Sequence, residues 1–294
     1  MAFHNKNATY VETVSLNIKD LNRSIDFYTK IIGLSVKEQN PTHAELTADG
    51  ENVLLILNQV DKERTHRRAS GLYHFALLLP TREDLALITM HLAANRIPLG
   101  SADHHVSEAL YLDDPDGNGI EIYIDREPEH WIWNDGQVHM VTEPLNAEDL
   151  LKDRPDPSDF KGLPKDTIMG HIHLHVNDLQ KNDEFYTEGL GFEVILNFGG
   201  QALFMATEKY HHHIAANIWN GLGAPAPEKG SIGLDYYTVI YPSNEALNKA
   251  VSRLTELGFT AEQEEGYVLT ADPSGSHIRM QTHKSHNYLK EILN

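Results

Sequence analysis

Two stretches of this chain are copies of one pattern. The first reads VSLNIKDLNRSIDFYTKIIGLSV (residues 14–36) and the second reads IHLHVNDLQKNDEFYTEGLGFEV (residues 172–194). Each copy begins with alternating apolar residues and then carries an Asp-Leu pair, a Phe-Tyr pair and a glycine. This order predicts a strand, a turn and a helix that ends at the glycine. A repeat of this kind predicts a fold assembled from several copies of one supersecondary unit.

A second, related unit follows each copy. GLYHFALLLP (71–80) matches GLDYYTVIYP (233–242), and both precede an apolar stripe at helical spacing. Both units close on a strand, an Asp-Pro-x-Gly turn and another strand, in YLDDPDGNGIEIY (111–123) and LTADPSGSHIRMQ (269–281). The chain is therefore predicted to contain four βαβββ modules, numbered one to four. They span about residues 9–60, 70–125, 168–220 and 231–283.

The modules group into two units along the chain, both of α+β class. We predict a first domain at residues 9–125, from modules one and two, and a second at 168–283, from modules three and four. Residues 126–167 are rich in Pro and Asp and are predicted to be a linker. Residues 284–294 are predicted to be a C-terminal tail.

Composition excludes several classes of protein. The 294 residues are 40% hydrophobic, enough for two ordinary cores, but contain no run of 18 apolar residues, so no membrane span is expected. There is no cysteine, which removes disulfides and thiolate chemistry. A formal charge of −19 argues against nucleic acid and anionic membranes as partners. These features predict a cytoplasmic protein and leave the formation of a homo-oligomer open.

The repeated motifs resemble a known superfamily. HIHLHVNDLQKNDEFYTEGLGF (171–192) is similar to the module opening of the vicinal oxygen chelate superfamily, and DPDGNGIEIY (114–123) is similar to its closing hairpin. The resemblance covers both predicted domains, and within the superfamily it is nearest to two-domain extradiol dioxygenases of the catechol 2,3-dioxygenase type. It implies four βαβββ modules that form two barrel-like clefts.

The resemblance also implies a metal site. Members of the superfamily take one ligand from the first-strand His of one module, and a first-strand His and a closing-hairpin Glu from another. Module two offers His74 and Glu121, and module three offers His171. At matching positions modules one and four carry Thr13 and Arg279, which are not plausible ligands. The chain therefore holds one complete ligand set, expected to bind Fe(II), with Mn(II), Ni(II) or Zn(II) as alternatives.

This ligand set has a consequence for the fold. Its members come from modules two and three, so we expect these two modules to share one barrel and modules one and four to share the other. The second cleft would then hold Thr13, Tyr236 and Arg279 and no metal. The alternative is a cleft completed between two chains of a dimer.

A run of three histidines is predicted to supply the acid–base group. By resemblance, His212 in KYHHHIAANIW (209–219) would take a proton from a catechol and later return one to an intermediate. If the run lies on a strand, His211 and His213 point away from His212. They remain candidates for substrate contact, because a register error of one residue would move the role to a neighbour. The structural alternative is an exposed histidine run.

Two further side chains are candidates for substrate contact. By resemblance, Tyr111 would hydrogen-bond the metal-bound substrate oxygen, unless it is only a half-buried strand residue. Module two is longer than module four in a segment that brings His104 to the rim of the cleft, so His104 is a candidate substrate contact. His173 and His175 alternate with His171 and are expected to be polar neighbours of the metal site, not ligands.

Three functions compete. The first is an Fe(II)-dependent extradiol dioxygenase that cleaves a small aromatic diol with O2. The second is a glyoxalase-type isomerase or lyase, which usually needs a fourth protein ligand, a Glu, where this chain has about Ile214. The third is a non-catalytic protein that binds small molecules, but such proteins often lose the ligand set that is complete here. The resemblance favours the dioxygenase.

Overall fold

The computed structural model describes residues 3–64, 68–153 and 155–283, and the predicted tail at 284–294 lies outside them. The strands are β1 Tyr10–Ile18, β2 Ser35–Asn40, β3 His43–Thr47, β4 Val53–Gln59, β5 Gly71–Leu78, β6 Gly100–Asp103, β7 Ser107–Asp113, β8 Gly119–Asp125, β9 Trp133–Asn134, β10 Gln137–Val138, β11 Ile168–His175, β12 Glu193–Phe198, β13 Ala202–Ala206, β14 Ile214–Asn217, β15 Gly233–Tyr241, β16 Glu262–Gln263, β17 Val268–Ala271 and β18 His277–Thr282. The α-helices are α1 Leu21–Phe27, α2 Arg82–Ala94, α3 Ala147–Leu150, α4 Leu179–Glu184 and α5 Asn244–Glu256. Helices α1 and α4 continue as π-helical turns, at Tyr28–Ile32 and Phe185–Gly189, and short 3-10 turns lie at Pro128–His130 and Pro157–Asp159.

The repeated aspartates and glycines set the bounds of the short helices. Asp20 caps α1 by accepting a hydrogen bond from the backbone N–H of Arg23, and Asp178 caps α4 in the same way. Gly33 ends the first helical segment in the left-handed region, with φ +93°, where a side chain would be strained. The end of each helix winds as a π turn, which the helical spacing did not predict.

Two eight-stranded sheets carry the fold. One has the order β16-β17-β18-β15-β1-β4-β3-β2 and the other β12-β13-β14-β11-β5-β8-β7-β6. The first therefore joins modules four and one, and the second joins modules three and two, as the ligand set predicted. The predicted α+β fold of four modules is confirmed. Both sheets draw strands from both halves of the chain, and the domain and linker bounds stay predictions.

The core fills the space between the sheets and their helices. Buried apolar side chains from all four modules form one continuous cluster, which includes Leu16, Phe75, Leu174 and Tyr237. Burial of this apolar surface is the main favourable term for holding the modules together. Among the described residues, no helix is long and apolar enough to cross a membrane.

Candidate metal centre and active site

The three predicted ligands meet on adjacent strands in the middle of one sheet. His74 lies on β5, Glu121 on β8 and His171 on β11, and β5 runs between the other two. The register places Ala76 of β5 beside both Glu121 and His171. Nε2 of His74 and Nε2 of His171 each lie 3.0 Å from the same Glu121 oxygen, Oε2, and all three side chains are buried. The ligand atoms all lie within 4.8 Å of one another.

This geometry fits one ion. Two ligands at right angles around an octahedral ion, each about 2.1 Å from it, are about 3.0 Å apart. That is the separation of each imidazole nitrogen from Glu121 Oε2. Although it lies this close to Oε2, the His74 nitrogen makes no hydrogen bond to it. A ring that is close to the carboxylate but not aligned with it is expected if both aim at a common ion. Two histidines and one carboxylate with open positions are typical of non-haem Fe(II) oxygenases.

The electrostatics favour the metal-binding protonation states. Burial alone would raise the pKa of the Glu121 carboxyl, but the His171 and His74 rings outweigh it and hold that pKa well below its usual value. Burial lowers the pKa of His171 to about 4, against the opposing effect of Glu121. The site at neutral pH therefore combines an ionised carboxylate with a neutral imidazole at His171, the forms that metals bind.

The matching cleft of modules one and four is built differently. The Thr13 hydroxyl donates a hydrogen bond to the backbone carbonyl of Val53 at 2.8 Å, so its proton is already used in a contact with the backbone. The Arg279 guanidinium lies 3.7 Å from the centroid of the Tyr236 ring, a cation–π contact. Among the residues that the structure describes, the His74, Glu121 and His171 group is the single cluster with metal-ligand geometry.

A cavity of about 340 Å³, within the ordinary range for small-molecule sites, is lined by two of the three ligands, His74 and Glu121. Its polar wall includes three residues predicted for the site, His104, Tyr111 and His212. Its other walls are mainly apolar and aromatic. They include Ala102, Met140, Val141, Leu196, Phe198, Phe204 and Trp219.

His104 and Tyr111 act as a pair. His104 Nδ1 lies 2.6 Å from the carbonyl of Val141 and must donate to it, because a carbonyl oxygen only accepts. In the neutral ring Nε2 is then an acceptor, and it lies 2.7 Å from the hydroxyl of Tyr111. Tyr111 is also the cross-strand neighbour of Glu121. Burial raises the pKa of the Tyr111 hydroxyl well above its usual value, so the hydroxyl keeps its proton.

His212 faces the cavity beside the metal ligands. Its ring packs on His171, with 3.9 Å between ring centroids, and on the edge of Phe204. Burial, followed by the neighbouring His171 and His211 rings, lowers the pKa of His212 well below its usual value. The side chain is only 5% exposed. His212 is therefore neutral at physiological pH and has a nitrogen free to accept a proton.

The histidine run does not lie on a strand, so the expected placement of the run on the last strand of module three is wrong. Strand β14 begins only at Ile214, so His211, His212 and His213 lie in the connection that precedes it. Neither His211 nor His213 lines the cavity. His211 packs against His212 and hydrogen-bonds the carboxylate of Asp125, and His213 hydrogen-bonds the backbone carbonyl of Phe3. All three rings are buried, so the alternative of an exposed run is also wrong.

Two residues around the site, Asn217 and Asp125, were not predicted from the sequence. Asn217 holds both remaining histidines of β11: its amide contacts Nε2 of His173 at 2.9 Å and Nδ1 of His175 at 2.8 Å. His173 itself lines the cavity. Asp125 lies four residues after Glu121 on β8, so the two side chains share a face of the strand. That spacing in GIEIYID was the available signal for Asp125.

The fold and this site together define a class of protein. Paired βαβββ modules, with two histidines and one glutamate converging on the central strands, form a vicinal oxygen chelate architecture. The family model described as the Glyoxalase/Bleomycin resistance protein/Dioxygenase superfamily matches residues 10–122 and 168–279. The chain belongs to this superfamily, and the resemblance carried by its motifs is confirmed.

Individual proteins of the superfamily are also similar to this chain. Over 275 residues the chain is 44% identical to Catechol-2,3-dioxygenase of Bacillus subtilis (strain 168), which covers 92% of this chain and 96% of that protein. It is 33% identical over 148 residues to Biphenyl-2,3-diol 1,2-dioxygenase 3 of Rhodococcus globerulus, over 49% of this chain and 73% of that protein. The crystal structure of glyoxalase I from Zea mays shares the fold, with a TM-score of 0.60 and 15% identity over 97% of this chain and 95% of that one.

Proposed function

We propose that this chain is an extradiol dioxygenase that opens the ring of a catechol or substituted catechol next to the diol, with O2 as the second substrate. The enzyme class follows from the comparison. Over nearly the whole chain the protein is 44% identical to a catechol-2,3-dioxygenase, so it is an oxidoreductase of that type. To this enzyme class the proposal adds two points: that the bound metal is Fe(II) and that the substrate is an aromatic diol.

One observation carries this proposal. Two of the three grouped ligands, His74 and Glu121, line a cavity of about 340 Å³ whose wall also includes His104, Tyr111 and His212. A ferrous ion held by these three residues would supply open coordination positions for both oxygens of a catecholate and for O2. The apolar walls fit an aromatic ring and exclude water from the reacting atoms.

The remaining polar residues have separate roles. His212 accepts a proton from a catechol hydroxyl and later returns one, because its neutral ring faces the cavity. Tyr111 and His104 form a hydrogen-bonded pair in the cavity wall, and we assign them the binding and orientation of a substrate oxygen. His211 and His213, both outside the cavity lining, do not contact the substrate in this proposal.

The glyoxalase-type alternative lacks its fourth ligand. The position near which a carboxylate was required carries Ile214, which is buried and apolar. No fourth carboxylate joins the three ligands among the residues described. We also expect no nucleic-acid or membrane partner, and a cytoplasmic location stays a prediction from composition.

The test uses His212→Phe in protein reconstituted with ferrous iron without oxygen. The variant is expected to keep its iron and bind catechol anaerobically, yet form the yellow ring-opened product about 10²–10⁴-fold more slowly, the usual contribution of one acid–base group. His213→Phe is the matched control, because this ring is buried but outside the cavity, and it is expected to be much closer to the parent in turnover. If His212→Phe turns over like the parent, the acid–base assignment fails. If iron-loaded parent protein cleaves no catechol, the proposed function fails.

A further inference from the structure

A line of hydrogen bonds leads from the cavity to a carboxylate outside it. His212 Nδ1 lies 2.8 Å from Nδ1 of His211. The other nitrogen of His211, Nε2, lies 2.8 Å from Oδ1 of Asp125. The hydroxyl of Tyr210 donates to the same oxygen at 3.1 Å. His211 is fully buried, whereas the side chain of Asp125 is 21% exposed on a surface away from the cavity.

The order of these groups fixes where each proton lies. An ionised carboxylate only accepts hydrogen bonds, so Nε2 of His211 must carry a proton and donate to Asp125. In a neutral His211 ring Nδ1 is then bare and can only accept. Nδ1 of His212 must therefore carry the proton between the two rings, which leaves Nε2 of neutral His212 without one. That nitrogen has no hydrogen-bond partner among the described residues, and His212 lines the cavity.

We infer that Asp125, acting through His211, sets the tautomer of His212, so that a bare Nε2 faces the substrate. Asp125 and His211 are positioning residues: neither touches the substrate. The inference rests on the proposed role of His212 as a base, because only a bare Nε2 can accept a catechol proton. The same logic operates in Ser-His-Asp triads, where a carboxylate holds the neighbouring imidazole in its working tautomer.

The strand geometry keeps this role separate from metal binding. Asp125 and Glu121 share a face of β8, but four residues of strand separate them by about 13 Å. Asp125 is thus too far away to be a ligand of the same ion. Tyr123 lies between them on that face, and its hydroxyl contacts the hydroxyl of Tyr210 at 2.6 Å, which extends the donor line to Asp125.

Replacing the Asp125 carboxylate should reverse the donor and acceptor roles of His211 and His212. In Asp125→Leu no oxygen accepts the Nε2 proton of His211, so the proton moves to Nδ1 and is donated to His212. His212 then carries its proton on Nε2, pointing into the cavity, and cannot act as a base. Asp125→Asn keeps an oxygen that can accept from His211, so this variant is expected to retain more of the parent tautomer than Asp125→Leu.

The first readout is spectroscopic and independent of activity. The full chain is labelled with ¹⁵N-histidine and loaded with Zn(II), a diamagnetic ion that the same ligand types bind. Long-range ¹H–¹⁵N correlation spectra report which ring nitrogen carries a proton, and the His212→Phe variant assigns the signals. We expect a protonated Nδ1 and a bare Nε2 in the parent, and the reverse in Asp125→Leu. A parent protein with a protonated Nε2, or an Asp125→Leu variant with unchanged His212 signals, overturns the inference.

The second readout is the turnover of iron-loaded enzyme. Asp125→Leu is expected to lower kcat by about 10²–10⁴-fold with KM within a few-fold of the parent and full iron content. Asp125→Asn is expected to lose less. Equal losses in both variants would overturn the assignment of Asp125 as a hydrogen-bond acceptor for His211. Because the spectra need no turnover, a failed dioxygenase assay leaves the tautomer test standing.

Discussion

Replacing Gly170 by alanine is expected to destabilise the fold and to move a metal ligand. Gly170 precedes His171 and occupies an irregular step in the register between β11 and β5. A methyl group there would lie 2.7 Å from two ring carbons of Tyr123 and closer still to its hydroxyl oxygen. Tyr123 is fully buried, and its hydroxyl is bonded to Tyr210, so it has no free space to enter.

The distances set the size of the effect. Ordinary van der Waals contact begins at 3.4 Å, so the methyl group and the ring must separate by at least 0.7 Å, the difference from 2.7 Å. Overpacking of this kind in a well-packed core costs about 1–3 kcal/mol of unfolding free energy. If β11 moves to make room, His171 moves with it. A displacement approaching 1 Å at a reacting centre can cost about 10²-fold in rate.

Urea denaturation and iron analysis measure the two consequences. Gly170→Ala should lose about 1–3 kcal/mol of unfolding free energy and should bind iron more weakly. The control is Gly100→Ala, whose methyl group would meet Tyr111 at an ordinary 3.5 Å and should stay within about 0.5 kcal/mol of the parent. In a Tyr123→Phe background the loss should shrink, with a coupling above about 0.5 kcal/mol. A Gly170→Ala protein with parental stability and iron content would refute this reasoning.

Two further predictions concern the metal and pH. His74→Ala and Glu121→Ala should each abolish iron retention, whereas Arg279→Ala, at the matching position of the other cleft, should keep it; full iron content in either ligand variant contradicts the assignment. Burial lowers the pKa of His213 well below its ordinary value of 6.5. Below pH 6.5 His213 therefore binds a proton in the unfolded chain but not in the folded protein, so the free energy of unfolding should fall as the pH is lowered. Urea midpoints of metal-free protein between pH 7.5 and 5 measure this, and His213→Gln should flatten the dependence; a parent protein equally stable across the range would count against it.

The metal ligands could be predicted from the sequence because the resemblance to the superfamily says which positions of a module hold ligands, and this chain has four modules to compare at those positions. Four modules offer four sets of equivalent positions, and only His74, Glu121 and His171 make a complete set. Since these come from modules two and three, the exchanged pairing of the modules follows from the same three positions. Both conclusions depend on the superfamily's ligand pattern and on the position of each residue within a repeat, and such positions can be read from a sequence.

The surroundings of the ligands could not be predicted in the same way. The period of a strand says which residues share a face but not where the strand begins, and β14 begins after the histidine run. The contact between His211 and Asp125 joins residues 86 positions apart, in a connection and at the end of β8. No local pattern encodes such a contact, which arises only when β11 pairs with both β5 and β14.

Because the pairing of modules is exchanged, a bound metal would cross-link the two halves of the chain. His74 and Glu121 stand before the connecting stretch at residues 126–167, and His171 stands after it. An ion at this site therefore ties together segments that meet only when both halves have folded against each other. Metal uptake then reports the completed assembly of the whole chain, and a peptide bond cut within the connecting stretch would leave two pieces still joined by a shared sheet and by the ion.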